Sequence, residues 1–135
     1  MLKLIIGVKG TGKTKTLISM VNEAVDASHG DVVCIEKGTK LRFDIKYQAR
    51  LINTEEYFID DANALGGFIA GILASNHDVT DLFIDSALKI CNNDAAAFDK
   101  FVDQLNELVE KVNVKVTITS SIPVEEASET VKKYL

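Results

Sequence analysis

Arginine is scarce in this chain of 135 residues: Arg42 and Arg50 are the only two among 15 lysines and arginines, and both fall in one irregular stretch. An arginine-rich lid closing over a charged substrate is therefore not expected. Cysteine is as scarce. Cys34 sits in an apolar run and Cys91 follows another, and without C-x-x-C spacing such thiols read as small buried hydrophobes, not as a disulfide, a zinc site or a redox pair. No uninterrupted apolar run reaches the roughly eighteen residues of a membrane span, and no basic-then-apolar leader opens the chain, so the expected compartment is the cytoplasm. The formal net charge of −5 argues against a chain that coats nucleic acid by charge alone, although a local basic patch stays open. Repeats, low-complexity tracts and linkers are missing too. Residues 1–135 are thus expected to form one domain, with 47% hydrophobic content to fill a single core.

What is present is concentrated near the N-terminus. Gly7, Val8, Lys9, Gly10, Thr11, Gly12, Lys13 and Thr14 match the pattern G-x-x-x-x-G-K-[ST] at each fixed position. Leu2, Leu4, Ile5 and Ile6 read as a buried strand before it, and Leu17, Ile18, Val21, Ala24 and Val25 recur at helical spacing after it. That setting gives the motif its mechanism. Glycines let a loop fold inward so that backbone N–H groups face phosphate oxygens, and the new helix adds the positive end of its dipole. Lys13 is placed to reach the β- and γ-phosphates and Thr14 to put its hydroxyl on magnesium, while Lys9 and Lys15 add positive charge to the same loop. The alternative is a glycine-rich strand-to-helix turn that binds nothing.

Downstream, a first helix is expected from about Lys13 to Ser28, with His29 in its last turn and Gly30 as a left-handed cap. Val32, Val33, Cys34 and Ile35 predict a strand buried on both faces and ending at Glu36. Alternation of Leu41, Phe43, Ile45 and Tyr47 with Arg42, Asp44 and Lys46 predicts an edge hairpin. A short strand over Arg50–Asn53 then leads to one long helix, capped by Asn53 or Thr54, that carries Phe58, Ile59, Ala62, Leu65, Phe68, Ile69, Ile72 and Leu73 on its stripe. Gly66, Gly67 and Gly71 inside it predict close packing against another backbone, and His77 falls in the loop beyond. Val79–Ile84 predicts a strand that delivers Asp85, Asp94 opens an amphipathic helix, and Val114–Thr119 predicts a last strand closing on Thr119, Ser120 and Ser121. Pro123 starts a final short helix with Val124, Ala127, Val131 and Tyr134 facing inward. The fold class is therefore α/β: three αβα layers around a mainly parallel sheet of about five strands, with an antiparallel edge hairpin and ligands at the carboxyl edge.

At that edge Asp85 is placed to hold magnesium opposite Thr14, unless it only caps a turn. Ser86 occupies the position directly after it where a water-activating glutamate is often found. Glu36, at the end of a neighbouring strand, is the better candidate base, its alternative being a solvated strand-end acid; Glu55 and Glu56 are weaker candidates because a helix first turn explains them. Thr119, Ser120 and Ser121 either report the γ-phosphate or form a polar strand end. A guanine reader N-K-x-D, a D-x-x-G switch and an L-S-G-G-Q signature are all absent, so ATP is the expected nucleotide.

The order of these parts resembles the RecA-like ATPases, a group that includes replicative helicases of the DnaB type. The resemblance rests on Gly7–Thr14, the strand ending at Glu36, the segment from Leu51 to Ala74, Phe83-Ile84-Asp85-Ser86 and the strand ending in Thr119-Ser120-Ser121. It implies Lys13 and Glu36 as catalytic residues, Thr14 and Asp85 as magnesium ligands, and Thr119 or Ser120 as the sensor. Counterparts of the further strands and DNA-contacting loops of RecA itself are not found, so strand exchange or unwinding is not expected. The expectation is a magnesium-dependent ATPase with slow intrinsic turnover. A second copy or a protein partner would then supply an arginine. A non-hydrolysing ATP switch or assembly module is the first alternative, and a small-molecule kinase the second.

Overall fold

Each short apolar run becomes a strand and each amphipathic run a helix in the computed structural model, which describes residues 1–135. The order is β1 (Leu2–Ile6), α1 (Lys13–Ala27), β2 (Asp31–Glu36), β3 (Arg50–Asn53), a 3-10 turn (Thr54–Tyr57), α2 (Ala62–Ser75), β4 (Val79–Ile84), α3 (Ala87–Ile90), α4 (Ala95–Val112), β5 (Lys115–Ser120), a second 3-10 turn (Val124–Glu126) and α5 (Glu129–Lys132). The five strands form one sheet in the order β1-β5-β4-β2-β3, and every neighbouring pair is parallel. Parallel strands need helical crossovers, and these cover both faces. Alternate residues of β2 accordingly enter different cores: Val33 and Ile35 join the larger cluster beneath α2 and α4, while Val32 and Cys34 join the smaller one beneath α1. Because all strands run the same way, the residues after Ile6, Ile35, Ile52, Ile84 and Thr119 emerge at one edge.

Several expectations fail. No hairpin forms over 41–47. Leu41, Ile45 and Ala49 are buried and spaced by four, whereas Phe43 and Tyr47 are 85% and 91% exposed. Successive turns shape this segment, with the amides of Asp44 and Ile45 both donating to the Leu41 carbonyl at 3.0 and 3.1 Å. Helix α1 holds it in place: Asn22 donates to the Asp44 carbonyl and accepts from the Lys46 amide, each at 2.9 Å, and Asp26 pairs with the Lys46 ammonium at 2.8 Å. The long helix expected from Asn53 is also interrupted. Asn53 caps only the 3-10 turn, Phe58 turns left-handed at φ 59° and lies exposed, and α2 restarts on its own cap, Asp61, whose carboxylate accepts from the Ala64 amide at 2.7 Å.

The glycine expectations fail as well. Gly30 is no left-handed cap. A Cβ there would collide with the Asp78 carbonyl oxygen and come within 2.6 Å of Thr80 Cγ2, so glycine serves a close approach of two backbones. Gly67 and Gly71 face open space, and Gly66 would meet only Phe101, at an ordinary 3.7 Å. At the C-terminus Pro123 starts only the 3-10 turn Val124–Glu126, with Val124 62% exposed and not facing inward; the α-helix α5 begins separately, capped by Ser128. Both cysteines are free and buried, and His29 lies beyond the end of α1.

Candidate functional site

Strand β1 is followed by Gly7, where a Cβ would sit 2.9 Å from Thr11 Oγ1. The loop then turns through Gly10 and Gly12 at φ 87° and 83°, values that favour glycine. Gly12 occupies the N-cap of α1, so no side chain caps the first amides, and the first turn carries no acid. Lys13, Thr14 and Lys15 surround those amides instead. Uncapped N–H groups at the positive end of a fifteen-residue helix make a seat for an anion. Lys13 folds back over the loop, its Nζ donating to the Val8 carbonyl at 2.9 Å, and the Thr11 hydroxyl donates to the same oxygen at 2.8 Å.

Opposite the loop, β4 delivers Asp85, which is buried at 9% exposure. Its amide donates to the Ile35 carbonyl at 2.9 Å, tying the strand end to β2. The carboxylate accepts from the Thr14 hydroxyl at 3.1 Å and from the Thr119 hydroxyl at 2.8 Å. Thr119 in turn accepts from the Ser86 amide at 2.9 Å, which holds Ser86 in its left-handed conformation. Ser120 points elsewhere: its fully buried hydroxyl accepts from the Leu88 amide at 3.2 Å, and the residue lining the cleft is Ser121.

Glu36 ends β2 at 3% exposure. Oε1 accepts from the Lys40 amide at 3.1 Å and Oε2 from the Leu41 amide at 3.2 Å. Burial pushes its carboxyl above the ordinary value, the Leu41 and Lys40 amides pull it back, and the Asp85 charge adds to the rise.

These groups share one cleft of about 480 Å³, lined by Lys13, Thr14, Lys15, Glu36 and Asp85 among others. Arg42 and Arg50 do not line it, nor do Glu55 and Glu56. Arg42 instead stacks over Phe43 at 4.8 Å. Lys37, Lys40, Lys89 and Asn93 also line the cleft, although sequence reasoning passed over them. A usable signal existed for Lys37, since a residue just past the carboxyl end of a parallel strand lies at the ligand edge and Lys37 directly follows β2.

The donor chemistry suits a hard cation shared with a ligand. No group of three or more His, Cys, Asp or Glu side chains is positioned to cage a metal; the hydroxyl of Thr14 and the carboxylate of Asp85 are two oxygen donors only. Magnesium, which keeps several waters and takes its remaining ligands from phosphates, matches that set.

A parallel sheet between helices, with a glycine loop leaving its first strand, defines a three-layer α/β fold. Among solved structures the chain is similar to a KaiC-like protein of the hyperthermophilic archaeon Pyrococcus horikoshii OT3, with a TM-score of 0.72 at 15% identity. The match covers 98% of this chain and 66% of that one, and it concerns the fold. No protein-family model matches the sequence, and no curated protein matches it. No helix is long and apolar enough to cross a membrane.

Proposed function

We propose that this chain binds ATP with magnesium and hydrolyses it slowly. The observation that carries the reading is the Thr14 hydroxyl 3.1 Å from the Asp85 carboxylate, across a cleft that also holds Lys13 and Glu36. The uncapped amides of α1 and the loop from Gly7 to Gly12, with Lys9 and Lys15 beside them, cradle the phosphates. Thr14 and Asp85 hold magnesium, which draws charge from the β- and γ-oxygens when bound. Lys13 releases Val8 and turns its ammonium to the same oxygens. Glu36 keeps a lone pair on each oxygen beyond its two amide bonds, enough to orient an attacking water. Thr119 keeps the Asp85 carboxylate aimed at Thr14 and acts as sensor through that bond; Ser120 supports it by fixing the start of α3. With no arginine in the cleft, turnover by the isolated chain is slow, and a second copy or partner protein raises it by adding a cation.

The test is phosphate release and labelled-nucleotide binding, with magnesium, for the natural chain, Lys13→Ala and Glu36→Gln at several protein concentrations. ATP-dependent release that Lys13→Ala abolishes with binding, and that Glu36→Gln abolishes without loss of binding, is expected. The occupied oxygens of Glu36 favour one rival: a switch that binds ATP and does not hydrolyse it. Tight binding through Lys13 with no phosphate release would establish that rival.

A further inference from the structure

Charge is distributed unevenly. Lys9, Lys13, Lys15, Lys37, Lys40 and Lys89 all line the cleft of a chain whose net charge is −5, against two carboxylates, Glu36 and Asp85. The phosphate loop and α1 account for three of these lysines and α3 for Lys89. Lys37 and Lys40 come from the connection after β2, on the wall that also carries Glu36.

This connection is fixed at its backbone. The Gly38 amide donates to Asn53 Oδ1 at 2.8 Å, at φ 107°, a conformation that suits glycine. The Lys40 and Leu41 amides donate to the two oxygens of Glu36, and the Leu41 side chain is buried at 2% exposure. The lysine side chains at 37 and 40 are themselves exposed, so a rigid backbone presents two free ammonium groups to the cleft. The fixed backbone confines these flexible side chains to the wall of the cleft that carries Glu36.

We propose that Lys37 and Lys40 recognise the terminal phosphate of the bound nucleotide, so that this loop distinguishes a nucleoside triphosphate from a diphosphate, and that Glu36 is the positioning residue that holds it. The proposal rests on the reading above, in which Glu36 faces the γ-phosphate: residues fixed to its carboxylate then lie beside that phosphate and away from the α-phosphate. It also bears on the Glu36→Gln variant. A glutamine presents an N–H to one of the two backbone amides and frees part of the loop, so loss of turnover alone does not identify a base.

The experiment compares the magnesium complexes of ATP and ADP by equilibrium titration for the natural chain, Lys37→Ala/Lys40→Ala, Lys37→Arg/Lys40→Arg and Lys13→Ala. Tryptic cleavage after residues 37 and 40 is followed in parallel. The natural chain is expected to prefer ATP by about tenfold or more, the step that one charge-assisted contact confers. The double alanine variant should bring the two affinities within about threefold by weakening ATP and leaving ADP unchanged, and the double arginine variant should restore the preference. ATP should protect the natural chain from cleavage at 37 and 40 more than ADP does, and Glu36→Gln without nucleotide should be cut there faster. An unchanged ATP-to-ADP ratio in the double alanine variant, with binding still dependent on Lys13, overturns this inference and leaves the proposed function standing. Absence of any nucleotide binding to the natural chain overturns both. Both alanine substitutions replace exposed side chains, so the fold is retained.

Discussion

Replacing Asp85 by asparagine should separate ligand binding from folding. In the free protein the carboxylate is a hydrogen-bond acceptor for Thr14, Thr119 and, at 3.4 Å, the Ser86 hydroxyl. Asparagine is nearly isosteric: its Oδ1 still accepts from Thr119, and its Nδ2 donates to Thr14 Oγ1. The substitution also removes a buried negative charge whose field adds to the effect of burial on Glu36. A retained hydrogen-bond pattern and a relieved like-charge repulsion leave a change in free-protein stability within about 1 kcal/mol in either direction. The bound state differs, because a neutral amide cannot replace a carboxylate opposite magnesium. Ligand at a hundredfold excess over its dissociation constant stabilises the natural chain by about 2.7 kcal/mol. For 135 residues an unfolding entropy of about 2.1 cal/mol/K per residue converts that into a rise in Tm of roughly 9.5 °C. Thermal unfolding followed by circular dichroism, with ATP plus magnesium and with ATP plus chelator, reads both quantities. The natural chain should gain the full shift only with magnesium, and Asp85→Asn should gain no magnesium-dependent part. A magnesium-dependent shift of equal size in the variant would refute the assignment of Asp85. A fall of more than about 3 kcal/mol in its ligand-free stability would refute the hydrogen-bond account.

Two further predictions concern stability alone. Gly30→Ala forces a methyl group against the Asp78 carbonyl, next to the bond from the Asp31 amide to that oxygen at 2.8 Å, and should lose about 1–3 kcal/mol. Gly71→Ala adds a methyl in open space within α2 and should gain about 0.5–1 kcal/mol; denaturant titration that finds the two variants equal would contradict the packing described. Glu36 sets a pH dependence. Its carboxyl is raised by burial above the ordinary 4.5, so the folded state binds the proton more tightly than the unfolded state does. The resulting stabilisation is complete below 4.5 and is lost as pH rises through the folded value. Across that window the natural chain should lose stability relative to Glu36→Gln, and parallel profiles for the two would exclude the raised carboxyl.

The sequence was most legible where structure depends on neighbouring residues. Gly7 to Thr14, the apolar run before Glu36 and the run before Asp85 each specify a local conformation, and each strand stands where its hydrophobic run predicts. It was least legible where two periods coincide. Leu41 and Ile45 satisfy both a period of two and a period of four; only Ala49, a weak hydrophobe, and the polar anchors from α1 decide between them. Phe58 misleads in a similar way, since a large apolar residue on a helical stripe gives no sign that it will turn left-handed and point outward. The harder limit lies in the candidate site. Side chains have letters, but backbone amides do not, and the partners of Glu36 are the amides of Lys40 and Leu41. Position alone made Glu36 a candidate base, whereas its hydrogen bonds make it a clamp as well. A carboxylate bound to two amides can orient water only through its remaining lone pairs, and the geometry of those pairs depends on where the clamped loop sits. Any chemistry at Glu36 and any phosphate contact from Lys37 or Lys40 are therefore coupled, because one set of backbone bonds fixes both.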